Sequence, residues 1–298
     1  MTVEWARNGE VEIAYERFGP PDATPLLLLN GAGAQMVMLW TDLCAALVER
    51  GFQVVRTDTR DTGLSTHLSC YDVPRRDRPA RYTLRDLPDD VVAVLDALDW
   101  PGAYVGGISE GGTIAQAVAT QHPDRVRGLI SISSTPTPSP WVVRPRILPN
   151  LRALRAARRH CADREAAGQR RVDMIRPVSS PGYEFDEPHW REAGRVCFDR
   201  GLDPAGDLRV VAALFAAGDR RAELAGVRAP TLVIHGEADP MCSVRAGRAT
   251  AEAIPGARFV SYPGMGHDLP RELWPAIIDE IATLAAEPIT SYSSEHSG

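Results

Sequence analysis

The sequence predicts an α/β fold built on a mostly parallel, eight-stranded sheet, with helices on both faces and a helical segment inserted between two of its strands. Three observations lead there. Short apolar runs recur along the chain, helical patterns lie between several of them, and the alternation stops after Ser134 and resumes near Ala229. Strands that alternate with helices are joined by crossovers, which make neighbours parallel and cover both faces of the sheet.

Residues 3–6 and 11–15 flank Gly9 and read as a hairpin of two short strands. Residues 26–29 are four consecutive leucines between Pro25 and Gly31. A run with no polar face suits a strand buried on both sides. The same reasoning marks strands at 52–57, 103–108, 126–131, 231–235 and 258–262. Helical spacing marks 41–50, 84–100 (with Leu87, Val91, Val94, Leu95 and Leu98 on one face) and 114–121.

Three prolines, Pro136, Pro138 and Pro140, then alternate with Ser and Thr, a pattern no regular element tolerates. From there to about Arg221 no strand pattern appears. The segment reads as helical, first in an Arg-rich stretch (144–171) and then over 189–217. The expected division is a core of 1–135 and 221–298 with a helical lid at 136–220. Asp163 and Glu165 interrupt the arginines, so a solvated helix face accounts for them without nucleic acid.

Hydrophobic residues make up 44% and charged residues 24%, enough to bury a substantial core. The net charge of −6 argues against nucleic acid or an anionic membrane as partner. Five scattered cysteines with no C-x-x-C pair signal neither a disulfide framework nor a zinc site. The charged N-terminus has no apolar stretch of the signal-peptide kind, and no run approaches membrane-helix length. The expectation is a cytoplasmic enzyme acting on a small molecule, monomeric or homodimeric, without metal or cofactor. Residues from about Glu287 onward read as a polar tail.

Gly107-Ile108-Ser109-Glu110-Gly111 is a G-x-S-x-G motif between a predicted strand and a predicted helix. A serine on so sharp a turn needs neighbours without bulk, which Gly107 and Gly111 provide. The turn presents the hydroxyl beyond the strand carboxyl ends, where open parallel sheets hold ligands. A serine hydroxyl needs a base, and the base needs an orienting acid. His267 follows the last strand in a Gly-rich loop, Gly264-Met265-Gly266, and Asp239 follows the strand at 231–235. Both positions fall on the same edge as Ser109. Glu237 and Asp268 compete for the acid role, but Asp239 lies where the turn should point inward, and Asp268 reads as a surface or capping residue. His235, on a strand end, and His122, beside Pro123, read as structural.

Oxyanion donors are expected from the backbone N–H groups of Ala32, in the Asn30-Gly31-Ala32-Gly33 loop, and of Glu110 at the start of the elbow helix. With these motifs and the segment Asp58-Thr59-Arg60-Asp61-Thr62-Gly63-Leu64-Ser65, the chain resembles the α/β-hydrolase superfamily over about residues 1–135 and 221–286. Its Arg-Asp-Thr-Gly and Pro-Gly-Met-Gly-His segments look similar to the aclacinomycin-methylesterase group of bacterial serine esterases. That resemblance implies hydrolysis of an ester, such as a methyl ester of a bulky polyketide, through an acyl-enzyme. Two features depart from the family pattern. Asn30 replaces the usual histidine of the oxyanion loop. Glu110 places a carboxylate after the nucleophile, where it could oppose a developing anion, turn to the lid or face solvent.

Met36 and Met38 from the loop side, and Trp141, Phe185, Trp190, Phe198 and Phe215 from the lid, are the candidate substrate-binding residues. Rival readings are a cofactor-free cyclase, lyase or perhydrolase using the same site, and a ligand-binding protein that has lost the chemistry.

Overall fold

A computed structural model describes residues 2–68, 81–138, 147–157 and 159–287. Eight strands form one sheet: β1 (Glu4–Asn8), β2 (Val11–Phe18), β3 (Thr24–Leu29), β4 (Phe52–Thr57), β5 (Ala103–Ile108), β6 (Val126–Ile132), β7 (Thr231–Gly236) and β8 (Arg258–Tyr262). Their spatial order is β1-β2-β4-β3-β5-β6-β7-β8. The β1–β2 hairpin pairs antiparallel to β4 through β2, and every other neighbouring pair is parallel.

Strand periodicity explains the leucine run. Leu27 and Leu29 face one core, with Val55, Val105 and Leu129, under α2 (Leu87–Ala97) and α3 (Glu110–Gln121). Leu26 and Leu28 face the other, with Val54, Ile130 and Leu232, under α1 (Thr41–Glu49) and α10 (Trp274–Ala286). Successive side chains point to opposite faces, so a strand covered on both sides needs apolar residues at every position.

Between β6 and β7 the described residues are helical: α4 (Ile147–Ala157), α5 (Arg164–Ile175), α6 (Glu187–Asp199), α7 (Pro204–Phe215) and the single turn α8 (Arg221–Leu224). The expected continuous pattern over 189–217 is two helices. Gly201 adopts φ +99°, and the Asp203 carboxylate then caps α7 by accepting from the Ala205 N–H, with Pro204 at the first position. A left-handed glycine ends one helix and a capped proline starts the next. Asp163 likewise caps α5. Several of the insertion's surface arginines are paired with acids, as in Arg159–Asp173 and Arg164–Asp199. One last helix, α9 (Val244–Ala253), joins β7 to β8. Among the described residues no helix is long and apolar enough to cross a membrane.

Candidate active site

Ser109 sits between β5 and α3 with φ 57° and ψ −115°, a positive-φ backbone that a side-chain-bearing residue rarely holds. Its N–H donates to Ile132 O at 2.8 Å, which fixes the turn to β6. The glycines leave no room for anything larger. A Cβ on Gly107 would lie 2.2 Å from the Gly111 carbonyl carbon, and one on Gly111 would lie 2.5 Å from Asn30 O. Backbone is on both sides, so relief requires the elbow itself to move. Gly111→Ala is therefore expected to abolish ester hydrolysis and to cost about 3 kcal/mol or more of stability. Activity and a urea melt within error of the parent protein would contradict this account of the turn.

His267 and Asp239 come together from their separate loops. The His267 Nδ1–H donates to Asp239 Oδ2 at 2.6 Å. Asp239 Oδ1 accepts from the Met241 and Cys242 N–H groups, both at 2.8 Å, so the carboxylate is held from its own turn. With Nδ1 carrying the proton, Nε2 is the ring's free acceptor. Burial opposes an imidazolium here, but the charge and hydrogen bond of Asp239, joined by the charge of Asp268, outweigh it and raise the His267 pKa. Among the described residues no hydrogen bond joins His267 to Ser109, a contact that in unliganded hydrolases often tightens only with substrate.

The other acids and histidines are engaged elsewhere. Glu237 is exposed and accepts from Ser261 Oγ. Asp268 is neither a surface residue nor a cap: it is partly buried and accepts from Ser180 Oγ at 2.5 Å, while Ser180 Oγ in turn accepts the Gly266 N–H and braces the His267 loop. His235 is fully buried, pairs through Nε2 with Cys242 O, and has its pKa lowered by burial. His122 ends α3 and pairs with Asp89.

In the loop after β3 the Ala34 N–H donates to Gly31 O, closing a turn whose hydrogen bond does not use the Ala32 N–H. Glu110 is the first residue of α3, whose opening N–H groups have no partner within the helix. Gly31 faces Ser109, since a Cβ there would lie 3.3 Å from Ser109 Cβ. Asn30 supports the loop by donating from Nδ2 to Gln35 O at 3.0 Å.

Beneath it lies a network that motif reading missed. Asp58 accepts the Met36 N–H at 2.6 Å, the Leu64 N–H at 3.0 Å and Arg200 Nη2 at 2.5 Å. Arg200 Nε donates to Gln35 Oε1, and Gln35 Nε2 donates to Cys197 O and Gly201 O. The segment after β4 thus ties the loop after β3 to the end of α6. Its presence in the sequence as an Asp…Gly…Ser run past a buried strand was the available signal.

Glu110 is the main correction. It is 2% exposed, so the solvent-facing reading fails. Burial first, and the charge of Asp207 second, push its carboxyl up to about 8.

Of the candidate lining residues, Met36 and Met38 are buried at the foot of the loop. Phe185 and Trp190 line a groove with Trp40, Asp268 and Leu269, the last two being the residues after His267. Phe198 is on α6, Phe215 is exposed at the end of α7, and Trp141 lies outside the described residues. The ligand-type cluster Asp61, His67 and Asp203 is already served by a cation: Arg209 Nη2 donates to Asp61 Oδ1 at 2.6 Å and to Asp203 Oδ2 at 2.9 Å. That is an ion-pair network rather than a metal cradle.

A strained serine on a strand-to-helix turn, with an Asp–His pair at the carboxyl edge of a mostly parallel sheet, defines an α/β-hydrolase architecture. The chain belongs to the α/β-hydrolase family. A sequence profile of the α/β hydrolase fold matches residues 24–157, and one of TAP-like proteins matches 216–283. The chain is 31% identical to a rhodomycin D methylesterase of Streptomyces peucetius, over 91% of this chain and 93% of that one. It is 27% identical to a bifunctional esterase/perhydrolase of Acinetobacter calcoaceticus, covering 87% and 91%. Among solved structures, the enol-lactonase of Burkholderia xenovorans LB400 superposes with a TM-score of 0.74 at 27% identity, covering 95% of this chain and all of that one.

Proposed function

We propose that the protein is a serine esterase that cleaves a carboxylic ester of a small, largely hydrophobic substrate through an acyl-enzyme. The observation that carries this reading is the 2.6 Å Asp239–His267 hydrogen bond behind a serine held at φ 57°. Ser109 Oγ attacks the ester carbonyl while His267 Nε2 takes its proton. The imidazolium then protonates the leaving alcohol, and the same nitrogen activates the water that releases the acid. The N–H groups of Ala32 and Glu110 receive the oxyanion. Each such donor contributes roughly 3–4 kcal/mol of transition-state stabilisation. The helices of 136–220 act as a lid over this rim. The methylesterase relative supports a methyl ester as the scissile group.

The test is covalent. A fluorophosphonate probe is expected to label Ser109, identified by peptide mapping, with labelling abolished by His267→Ala. An unlabelled Ser109 in folded protein would remove the reading.

The rate should also depend on pH in a stated direction. The base works only when neutral, and its pKa is raised above the ordinary imidazole value of 6.5. Ester hydrolysis should thus fall as pH drops through a midpoint above that value. On the alkaline side, ionisation of Glu110 near 8 places a negative charge beside the oxyanion, so kcat/KM should fall again. A Glu110→Gln profile that retains the alkaline limb unchanged would break the second assignment.

A further inference from the structure

The loop that carries His267 is held from two sides. On the core side, Met265 O accepts the Ala238 N–H at 2.9 Å, and the Met265 N–H reaches back to Tyr262 O at 3.3 Å. On the other side stands the stretch 178–183 of the insertion, between α5 and α6. Val178 O accepts the His267 N–H at 2.8 Å, and Gly264 O accepts the Gly182 N–H at 3.0 Å. The Tyr183 hydroxyl donates to Pro263 O at 3.1 Å. The two backbones touch: a Cβ on Gly266 would lie 2.4 Å from Ser179 O, and one on Gly182 would lie 2.8 Å from Gly264 Cα.

Ser180 is at the centre of this contact and is 4% exposed. Its Oγ accepts the Gly266 N–H at 2.8 Å and donates to Asp268 Oδ1 at 2.5 Å. A hydroxyl has one proton and two lone pairs. With Gly266 donating to the oxygen, the proton goes to the Asp268 carboxylate. One side chain thus grips the residues immediately before and after His267, whose own N–H is taken by Val178 O. The core fixes the imidazole through Asp239. The insertion fixes the backbone from which that imidazole hangs.

We propose that Ser180 is a positioning residue for the base: by tying Gly266 and Asp268 to the insertion, it holds the His267 backbone so that Nε2 meets the serine hydroxyl. The role rests on the esterase reading, in which His267 is the base, and adds to it a residue that acts through its neighbours. Asp239 and Asp268 are the charges acting on His267, and His235, 3.6 Å from Asp239 Oδ2, stands behind the pair.

Ser180→Ala is expected to lower kcat for p-nitrophenyl butyrate roughly tenfold to a hundredfold with KM within about twofold, because the ring is misplaced while the binding surface is kept. The far-downfield proton resonance of His267 Nδ1–H, the mark of its short bond to Asp239, should broaden or vanish. The acid limb of the pH profile separates position from charge. Asp268→Asn keeps an oxygen for the hydroxyl but removes a charge that favours the imidazolium, so its midpoint should fall. Ser180→Ala keeps that charge, and its loss should persist at pH values well above the midpoint. A rate loss in Ser180→Ala that a shifted midpoint fully accounts for overturns the positioning role. So does a folded Ser180→Ala with a lowered melting temperature but native kcat and a native resonance, the pattern of a merely structural serine. Ser180→Cys, which keeps the volume with a poor acceptor, gives the same two readings if Ser180→Ala does not fold. Should the native protein hydrolyse no activated ester, the esterase reading falls by itself. The resonance, which needs no turnover, then decides whether Ser180 holds the imidazole.

Discussion

Replacing Ser109 by alanine is expected to lower ester-hydrolysis kcat by roughly a thousandfold to a millionfold. The substitution deletes only Oγ, and the elbow's φ 57° becomes no easier for alanine, so the loss will be chemical rather than structural. His267→Ala should cost about as much. The double variant should be hardly slower than either alone, because a nucleophile and its base act as one unit. What activity remains is expected to come from the proposed backbone donors of Ala32 and Glu110. Stopped-flow assay of an activated ester would show this as loss of the acylation burst. A Ser109→Ala protein within about tenfold of the native rate, or losses that multiply in the double variant, would dismantle the assignment.

The second large effect is on stability. Arg209, 1% exposed, donates from Nε and Nη2 to both oxygens of Asp61 and from Nη2 to Asp203. Asp61 is also buried, holds φ 66°, and accepts the Tyr82 hydroxyl and the Leu68 N–H. Arg209→Met leaves that carboxylate buried without its cation, a loss expected to be about 3–5 kcal/mol. Asp61→Asn added to Arg209→Met should recover part of it, since the stranded charge is then gone. Urea unfolding at neutral pH measures both. A single-variant loss below about 1 kcal/mol would mean that the pair contributes little.

The sheet was legible because the strands buried on both faces are mostly apolar, although Gln53 and Arg56 sit buried in β4 and β8 is only half-buried along its length. The runs at 52–57, 103–108 and 258–262 coincide with β4, β5 and β8. The positions of Ser109, Asp239 and His267 were legible because each is announced locally, by a glycine turn or by position past a strand. The Arg200–Asp58 and Arg209–Asp61 pairs were not: their members are separated by 142 and 148 residues, and no local pattern couples them. The break at Gly201–Pro204 was written in the residues but masked by apolar spacing that continued on either side. The burial of Glu110 had no signal at all, because a single carboxylate says nothing about what packs over it.

The hydrogen bonds that run from Gln35 and Asp58 to Arg200, and from Arg171 to Gly33 O, join the inserted helices to the strand-end loop that presents the Ala32 N–H. In the mechanism proposed above, specificity and rate are consequently not separable modules. Grafting the helical segment of another hydrolase onto this sheet would exchange the proposed lid and, in the same cut, remove the struts of the loop after β3. Chimeras that retain Arg200 and Arg171 with their helices should keep their turnover, and those that discard them should be slow toward every ester alike.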